Sequence, residues 1–239
     1  MASNVAEYVA HEEAYVAFCE SRMRVALLNQ AKEVRALEQK LAITRARLQS
    51  PDSSPEKWQG QSGAFTQVIQ FAAQLETHKI NIAELKLVTA EDHARRYGLM
   101  CDVPRVKSIQ IHSSAVDELL INTDVLYGKS SIGSWHRVGR FTARVNLSAR
   151  TPTAIQFTNV DGPRKSMQGP TGIDLAGRVS CYGTALADIR AALEYWDDVQ
   201  LVQILVRYPE CPGQFDTIRN WPEVPHKEVP AWYIKQFGR

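Results

Sequence analysis

The most regular pattern in the chain is a seven-residue repeat of apolar side chains near the N-terminus. From about Val5 to Leu48 there is no proline or glycine, and residues that favour helices predominate. Four aliphatic side chains recur at every seventh position in the second half of this stretch: Leu27, Val34, Leu41 and Leu48. Ala31 and Leu37 lie near the intervening positions, so the pattern predicts a long helix with an apolar seam along one side.

The seam of this helical arm, residues 1–50, needs a partner, because a single helix cannot bury it. Three partners fit the sequence: a second copy of the chain, the next helix folded back as an antiparallel hairpin, or the body of the protein. The seven-residue spacing favours a coiled coil of two copies through residues 20–50, and therefore a homo-oligomer. Acidic and basic residues mix on the remaining faces, as they do on solvated helices.

A break in the helical pattern follows the arm. The prolines of Ser50–Pro55 predict a hinge, because proline lacks a donor and disfavours helix in the residue before it. Helical spacing resumes over Phe65–Leu75, and we expect this second helix to end before Lys79. Residues 80–88 fit either a strand or a continued helix, and the sequence leaves both open.

A third, short helix is predicted from a capping pattern. Thr89 precedes two acids that favour the positive end of a helix, and Gly98 marks the expected end. Residues 51–104 therefore form a helical connector between the arm and a domain over residues 105–239.

Alternating apolar and polar positions predict strands after Pro104. Four runs show the pattern, with turn residues between them: Val106–His112, Glu118–Leu126, Val138–Leu147 and Thr153–Val160. They predict a four-stranded antiparallel meander. A glycine-rich loop over residues 161–183 follows, then two apolar helices, the first capped by Thr184 and the second by Asp197 or Asp198. The fold class is α+β.

Composition excludes several classes of protein. Of the 239 residues 44% are hydrophobic and 23% charged, which is typical of a globular chain. No window has the apolar run of a signal peptide or membrane span, so we expect a cytoplasmic protein with no membrane contact. Four separated cysteines without a Cys-x-x-Cys pair, and six scattered histidines, indicate no metal site. No phosphate-binding loop is in frame, and no cofactor is predicted.

One basic stretch stands out against the near-neutral charge of +2. Between Val125 and Val160 there are no acids, and strand alternation places Arg140 and Arg144 on one sheet face, with Arg137 nearby. This face suits plain solvation, protein docking or nucleic-acid binding. The small net charge argues against nucleic acid, so protein partners are the expected ones.

Cys181 is the candidate nucleophile. It precedes the helix cap Thr184 by three residues, and Arg178 is close in sequence. A helix N-terminus and a cationic neighbour both lower a thiol pKa, and only the thiolate is nucleophilic. No histidine lies nearby in the chain to act as a base. An inert thiol that supports the loop and a reactive thiol both remain open.

The order of elements resembles the ubiquitin-conjugating-enzyme fold and its RWD relatives. Short motifs are similar to those of uncharacterised phage and archaeal-virus proteins of that fold, which commonly carry a long helix before the domain. The motifs are Ile121–Gly128, Val138–Thr142, Cys181–Gly183 and Asn220–Trp221. The resemblance covers roughly residues 105–222.

The resemblance implies two functions. In ubiquitin-conjugating enzymes a cysteine carries a modifier as a thioester, a role that would fall to Cys181, and a His-Pro-Asn motif supports it. Here the corresponding place reads Gly169-Pro170-Thr171, in which only the proline matches. The loss favours a catalytically silent module for interaction and assembly, in a host cytoplasm or a virion. The alternative is a conjugating enzyme for a ubiquitin-like modifier.

Overall fold

The computed structural model describes residues 2–48, 55–113, 117–149, 151–161, 182–183, 185–210 and 221–237. The chain forms two compact units: residues 16–93 make one, and residues 1–15 with 94–239 make the other. The predicted α+β class is confirmed. The predicted division into residues 1–50, 51–104 and 105–239 stays a prediction.

The first unit contains residues 16–48 of helix α1 (Ala2–Leu48) and the whole of helix α2 (Pro55–Leu87). The carboxamide of Gln30 contacts the His78 ring, and the Lys40 ammonium lies 5.9 Å from the Phe71 ring centroid. Earlier residues of α1 therefore face later residues of α2. The two helices run antiparallel, which is the hairpin among the three predicted alternatives.

The hairpin covers the predicted seam. Leu37, Leu41 and Thr44 of α1 are buried. On α2, most partly buried side chains of residues 61–87 repeat at alternating steps of three and four residues, at Gln61, Ala64, Val68, Phe71, Leu75, His78, Ile82 and Leu85. This is the spacing of two packed helices. Ala72 and Asn81 beside them are partly buried as well. The seam assigned to a second copy is thus covered by α2 of the same chain, and homo-oligomerisation stays a prediction.

The second helix is longer than predicted. The expected end before Lys79 is wrong, and residues 80–87 are helical, because Ile82 and Leu85 continue the seam-facing spacing. Pro55 is the first helical residue, where its missing N–H leaves no hydrogen bond unmade. The predicted hinge at residues 49–54 lies outside the described residues.

Helix α3, Ala90–Cys101, begins with the predicted cap. The Asp92 N–H donates to the Thr89 hydroxyl (3.2 Å), and the Thr89 N–H donates to the Asp92 carboxylate (3.0 Å). The predicted end at Gly98 is wrong by three residues. Buried Tyr97 and Met100 hold the last turn in the core, and this packing outweighs the low helix propensity of glycine.

Four strands form the predicted antiparallel sheet, in the order β1-β2-β5-β6. Their bounds are Val106–Ser113 for β1, Asp117–Thr123 for β2, Phe141–Asn146 for β5 and Ile155–Asn159 for β6. Buried and open positions alternate along β5 and β6, as the sequence pattern predicts.

A second sheet was not predicted. Strands β3 (Leu126–Lys129), β4 (Trp135–Gly139) and β7 (Glu223–Val224) form it in the order β3-β4-β7. Gly139 has a φ of 103°, and a Cβ there would lie 3.0 Å from the Asp161 carboxylate, so only glycine fits this turn between the sheets. Two runs predicted as single strands, residues 118–126 and 138–147, are each divided where the chain crosses between sheets.

Three helices complete this unit: α4 (Ala185–Glu194), α5 (Asp198–Arg207) and α6 (Ala231–Phe237). Asp197 caps α5, where its carboxylate accepts the Gln200 N–H at 3.0 Å, which settles the predicted choice of cap. The predicted cap Thr184 and loop residues 162–181 lie outside the described residues. Helix α6, which follows a short turn-rich segment, was not predicted.

In the unit formed by residues 1–15 and 94–239, the core joins the start of α1 to α5. Asp198 is buried and accepts a hydrogen bond from the Tyr15 hydroxyl at 2.9 Å. Tyr15 packs against Tyr97, whose hydroxyl donates to the Ile109 carbonyl at 2.7 Å. No helix in the described part of the chain is both long and apolar enough to cross a membrane.

Leu41→Ala tests whether α2 of the same chain covers the seam. Leu41 is buried, so we expect a loss of about 2–3 kcal/mol in the free energy of unfolding, measured by urea titration. Ile43→Ala is the control, because Ile43 is exposed and its loss should stay within about 0.5 kcal/mol. A loss for Leu41→Ala that grows with protein concentration would show that a second copy covers the seam instead.

Candidate functional site

The candidate site is a cleft of about 700 Å³ in the unit that contains both sheets. We call it the cleft. Residues of the segment after α3, the β3–β4 hairpin, the last turns of α5 and Gln236 of α6 line it. Elements that are far apart in sequence therefore meet there.

The floor of the cleft is a buried ion pair. The Arg105 Nε lies 2.5 Å from the Glu210 carboxylate, and both side chains are at most one-tenth exposed. The Arg105 guanidinium also lies 5.6 Å from the Tyr233 ring centroid. A charge at this depth is stable only beside a partner, so each group fixes the other in place.

Tyr233 ties this ion pair to strand β3. Its hydroxyl accepts the Tyr127 N–H at 2.9 Å. Its one proton faces both the Tyr127 carbonyl, at 2.8 Å, and the Glu210 carboxylate. We call Arg105, Glu210 and Tyr233 the buried cluster, which joins the chain before β1, the end of α5, strand β3 and helix α6.

The backbone at the cluster is strained. Arg105 has a φ of 78°, which is unfavourable for a residue with a side chain. The Asp124 N–H donates to the Arg105 carbonyl at 2.8 Å and helps hold this conformation. Strained backbone of this kind clusters at functional sites, where the surrounding structure maintains it.

Burial raises the pKa of Glu210 to about 7, although the Arg105 charge and the Tyr233 hydrogen bond act in the opposite direction. The Glu210 carboxyl therefore changes charge close to neutral pH. Burial, and then the Glu210 charge, raise the pKa of Tyr233, so its hydroxyl keeps its proton. When Glu210 is protonated, it can donate to the Tyr233 oxygen while Tyr233 donates to the Tyr127 carbonyl.

The rest of the cleft carries positive charge. Lys129 and Arg207 line it together with Arg105, against the single carboxyl of Glu210. The Lys129 ammonium lies 5.9 Å from the Trp135 ring centroid. Among the described lining residues the cleft therefore has three cations and one titrating acid.

Ser130 adds an unused hydroxyl to the lining of the cleft. Its side chain is buried, and its Oγ has no hydrogen-bond partner in the part of the chain that the structure describes. Its backbone is fully engaged in the β3–β4 turn, with bonds of 2.9 Å to Ser134 and Gly133. A buried hydroxyl without a partner is costly, so a ligand that bonded it would gain stability.

The predicted basic residues lie elsewhere, and each has an internal carboxylate. Arg140 donates from Nε (2.8 Å), Nη2 (2.7 Å) and its backbone N–H (3.1 Å) to Asp161. Arg137 reaches the same carboxylate at 3.5 Å, and Arg144 lies 3.6 Å from Glu118. The structure thus brings Arg137 and Arg140 together but places Arg144 apart from them.

Asp161 explains why the sequence pattern predicted more uncompensated positive charge on this face than the structure has. Burial acts to raise the Asp161 pKa, but hydrogen bonds from Arg140 and the charges of Arg140 and Arg137 outweigh it and lower the pKa. Asp161 lies one residue after the acid-free stretch Val125–Val160, and Glu118 lies before that stretch. The sequence therefore contained both acidic partners, outside the stretch in which acids were counted.

Cys181 lies outside the described residues, so its role as a thioester carrier stays a prediction. Burial raises the pKa of Cys101, with a hydrogen bond from Tyr97 opposing it, so this thiol holds its proton at neutral pH. Cys19 is a buried free thiol. Among the described residues no three histidine, cysteine or acidic side chains meet in a way that could hold a metal ion.

Glu210→Gln tests the charge state of the buried cluster. The folded pKa of about 7 lies above the ordinary 4.5, so Glu210 favours folding below about pH 4.5 and this advantage is lost as the pH rises to 7. We expect the free energy of unfolding to fall by up to about 3 kcal/mol across that range, and Glu210→Gln to remove the slope.

Urea titrations at a series of pH values measure this slope, and Glu84→Gln, at an exposed position, is the control that should follow the parent chain. A Glu210→Gln variant with the parent slope would contradict a titrating carboxyl at this position.

Comparisons with known proteins return no likeness. No protein-family model, no curated protein and no solved structure matches this chain. The kinship with ubiquitin-conjugating-like viral and phage proteins therefore stays a prediction, and the function has to follow from the residues of the chain itself.

Proposed function

We propose that this protein is an assembly protein, in which two copies join through the outer face of α2 while the β-rich unit serves as a recognition module. The observation that carries the proposal is a row of exposed apolar residues along α2. We call this row the outer stripe. Its members, with their exposed fractions, are Phe65 (62%), Ile69 (62%), Ile80 (56%) and Leu87 (77%).

The outer stripe is distinct from the face that packs on α1. Its residues fall between the seam-facing positions and share one side of the helix at 3.6 residues per turn. Ala73 and Ala83 add small exposed side chains between them. Glu76, seven residues after Ile69, lies on the same side and pairs with Lys79 at 3.3 Å. Exposed apolar side chains grouped on one side of a helix mark an interaction site, because leaving them in water is unfavourable.

The first half of the outer stripe lies in a segment without charge. Residues 58–75 contain no acid, lysine, arginine or histidine over 18 positions, whereas the 23% charged content of the chain would place about four acids, lysines and arginines there. Depletion of charge is the compositional mark of the centre of a protein interface.

An identical surface is the partner that fits best. Phe65 and Ile69 lie in the charge-free segment. The Glu76–Lys79 ion pair that follows is neutral as a pair, so the outer stripe sets no requirement for a partner of opposite charge. It can pack against its own copy across a two-fold axis. Two antiparallel hairpins joined in this way form a four-helix bundle. The 33-residue α2 is roughly 50 Å long, which gives such a contact a long surface.

The β-rich unit supports the recognition part of the proposal. Its four-stranded antiparallel sheet and following helices agree with a catalytically silent ubiquitin-conjugating-like or RWD-like module. The absence of the histidine and asparagine of the His-Pro-Asn motif supports a module without catalytic activity. A viral or prophage origin, with the assembly in a host cytoplasm or a virion, belongs to the same proposal.

Ile69→Glu tests the assembly. We expect the parent chain to be a dimer and Ile69→Glu a monomer, because a charge in the centre of an apolar contact is desolvated without a partner. Light scattering coupled to gel filtration, from micromolar to hundreds of micromolar protein, measures the mass. Far-UV circular dichroism checks that the exposed substitution leaves the helices intact.

The matched control is Gln74→Glu, which adds the same charge to an exposed position of the same helix. Gln74 lies about 140° around the helix from Ile69, so the dimer should persist. A parent chain that is monomeric at every concentration, or an Ile69→Glu dimer as tight as the parent, would overturn the proposal.

A further inference from the structure

We infer that the cleft binds a phosphate ester of a small organic molecule, with the phosphate beside Lys129 and Arg207 and the organic part against the apolar wall. This binding site is independent of the assembly proposed above. The outer stripe of α2 and the cleft belong to different units of the chain, so either can fail without the other.

The charge of the cleft selects an anion. Lys129, Arg207 and Arg105 line it, and Glu210 is the one acid among the lining residues that the structure describes. Arg105 lies 2.5 Å from Glu210. Lys129 and Arg207 also line the cleft, and both are exposed residues. Ammonium and guanidinium groups together suit the several oxygens of a phosphate.

Ser130 offers a further donor for the same group. It lies next to Lys129 in the chain, lines the cleft, and has a buried hydroxyl with no hydrogen-bond partner among the described residues. Ser130 and Lys129 both line the cleft, so the phosphate has a hydroxyl and an ammonium group in the same lining. The ligand would satisfy a polar atom that the protein itself leaves unbonded.

The size of the cleft indicates more than a phosphate ion. About 700 Å³ lies within the range of sites for small organic ligands, and a lone phosphate would fill only a small part of it. Pro104, Val206 and Trp135 provide apolar lining, and Gln203 and Gln236 provide amide groups at its edge. An organic body of about the size of a nucleoside fits this combination.

The titration of Glu210 supports an anionic ligand. Burial raises the pKa of Glu210 to about 7, so near neutral pH the one acid of the cleft can lose its charge. The charged and titratable groups that face it are Arg105, Arg207 and Tyr233. A bound anion would favour the protonated form, which keeps its hydrogen bond to the Tyr233 oxygen.

Isothermal titration calorimetry on the full chain at pH 7 tests the inference with three probes. Adenosine 5′-monophosphate carries both parts of the ligand, inorganic phosphate carries the anion alone, and adenosine carries the body alone. We expect the nucleotide to bind at sub-millimolar concentration, phosphate to bind more weakly and to compete with it, and adenosine to bind at least tenfold more weakly.

Lys129→Gln and Arg207→Gln should each weaken nucleotide binding about tenfold, the usual effect of losing one charged hydrogen bond. Lys227→Gln is the matched control, because it removes the same charge from an exposed residue that does not line the cleft. Ser130→Ala should weaken binding severalfold yet leave the melting temperature equal or higher, since the hydroxyl has no partner to lose.

Three results would overturn the inference: no binding of the nucleotide at millimolar concentration, adenosine binding as tightly as its monophosphate, or equal effects of Lys227→Gln and the two cleft variants. Each variant is checked for its unfolding transition first. A cleft variant that fails to fold is replaced by Lys129→Arg, which keeps the charge and should retain binding.

Discussion

The structure depends on a limit of helix packing: a hairpin of two helices can bury only one face of each. The seam of α1 is covered by α2, and residues 61–85 of α2 supply the matching face. The outer stripe of α2 is left without cover, although its side chains are as apolar as those of the seam. Water is a poor solvent for such a surface, and this imbalance is the physical basis of the proposed assembly.

The β-rich unit has a different organising contact, the buried cluster of Arg105, Glu210 and Tyr233. Because neither charge is stable alone at that depth, the segment before β1, the end of α5 and helix α6 must meet in one arrangement. The cluster thereby forms the floor of the cleft. Lys129 and Arg207 line the same cleft, so the contact that holds the fold shapes the site as well.

The local patterns in the sequence predicted much of the fold. Heptad spacing, the Thr89 cap and strand alternation each depend on neighbours within a few residues, and α1, the start of α3 and the four-stranded sheet follow them. The end of α2, the second sheet and the cleft depend on residues far apart in the chain. Nothing near Arg105 in the sequence indicates that Glu210 and Tyr233 lie beside it, so single-sequence patterns could not reveal the site.

The most direct test of the central claim is amide hydrogen exchange of the full chain, followed by mass spectrometry, at low and high protein concentration. If two copies meet through the outer stripe, exchange over residues 61–87 slows as the concentration rises, whereas exchange over strands β5 and β6 does not change. Exchange over residues 61–87 that is the same at every concentration would contradict the account.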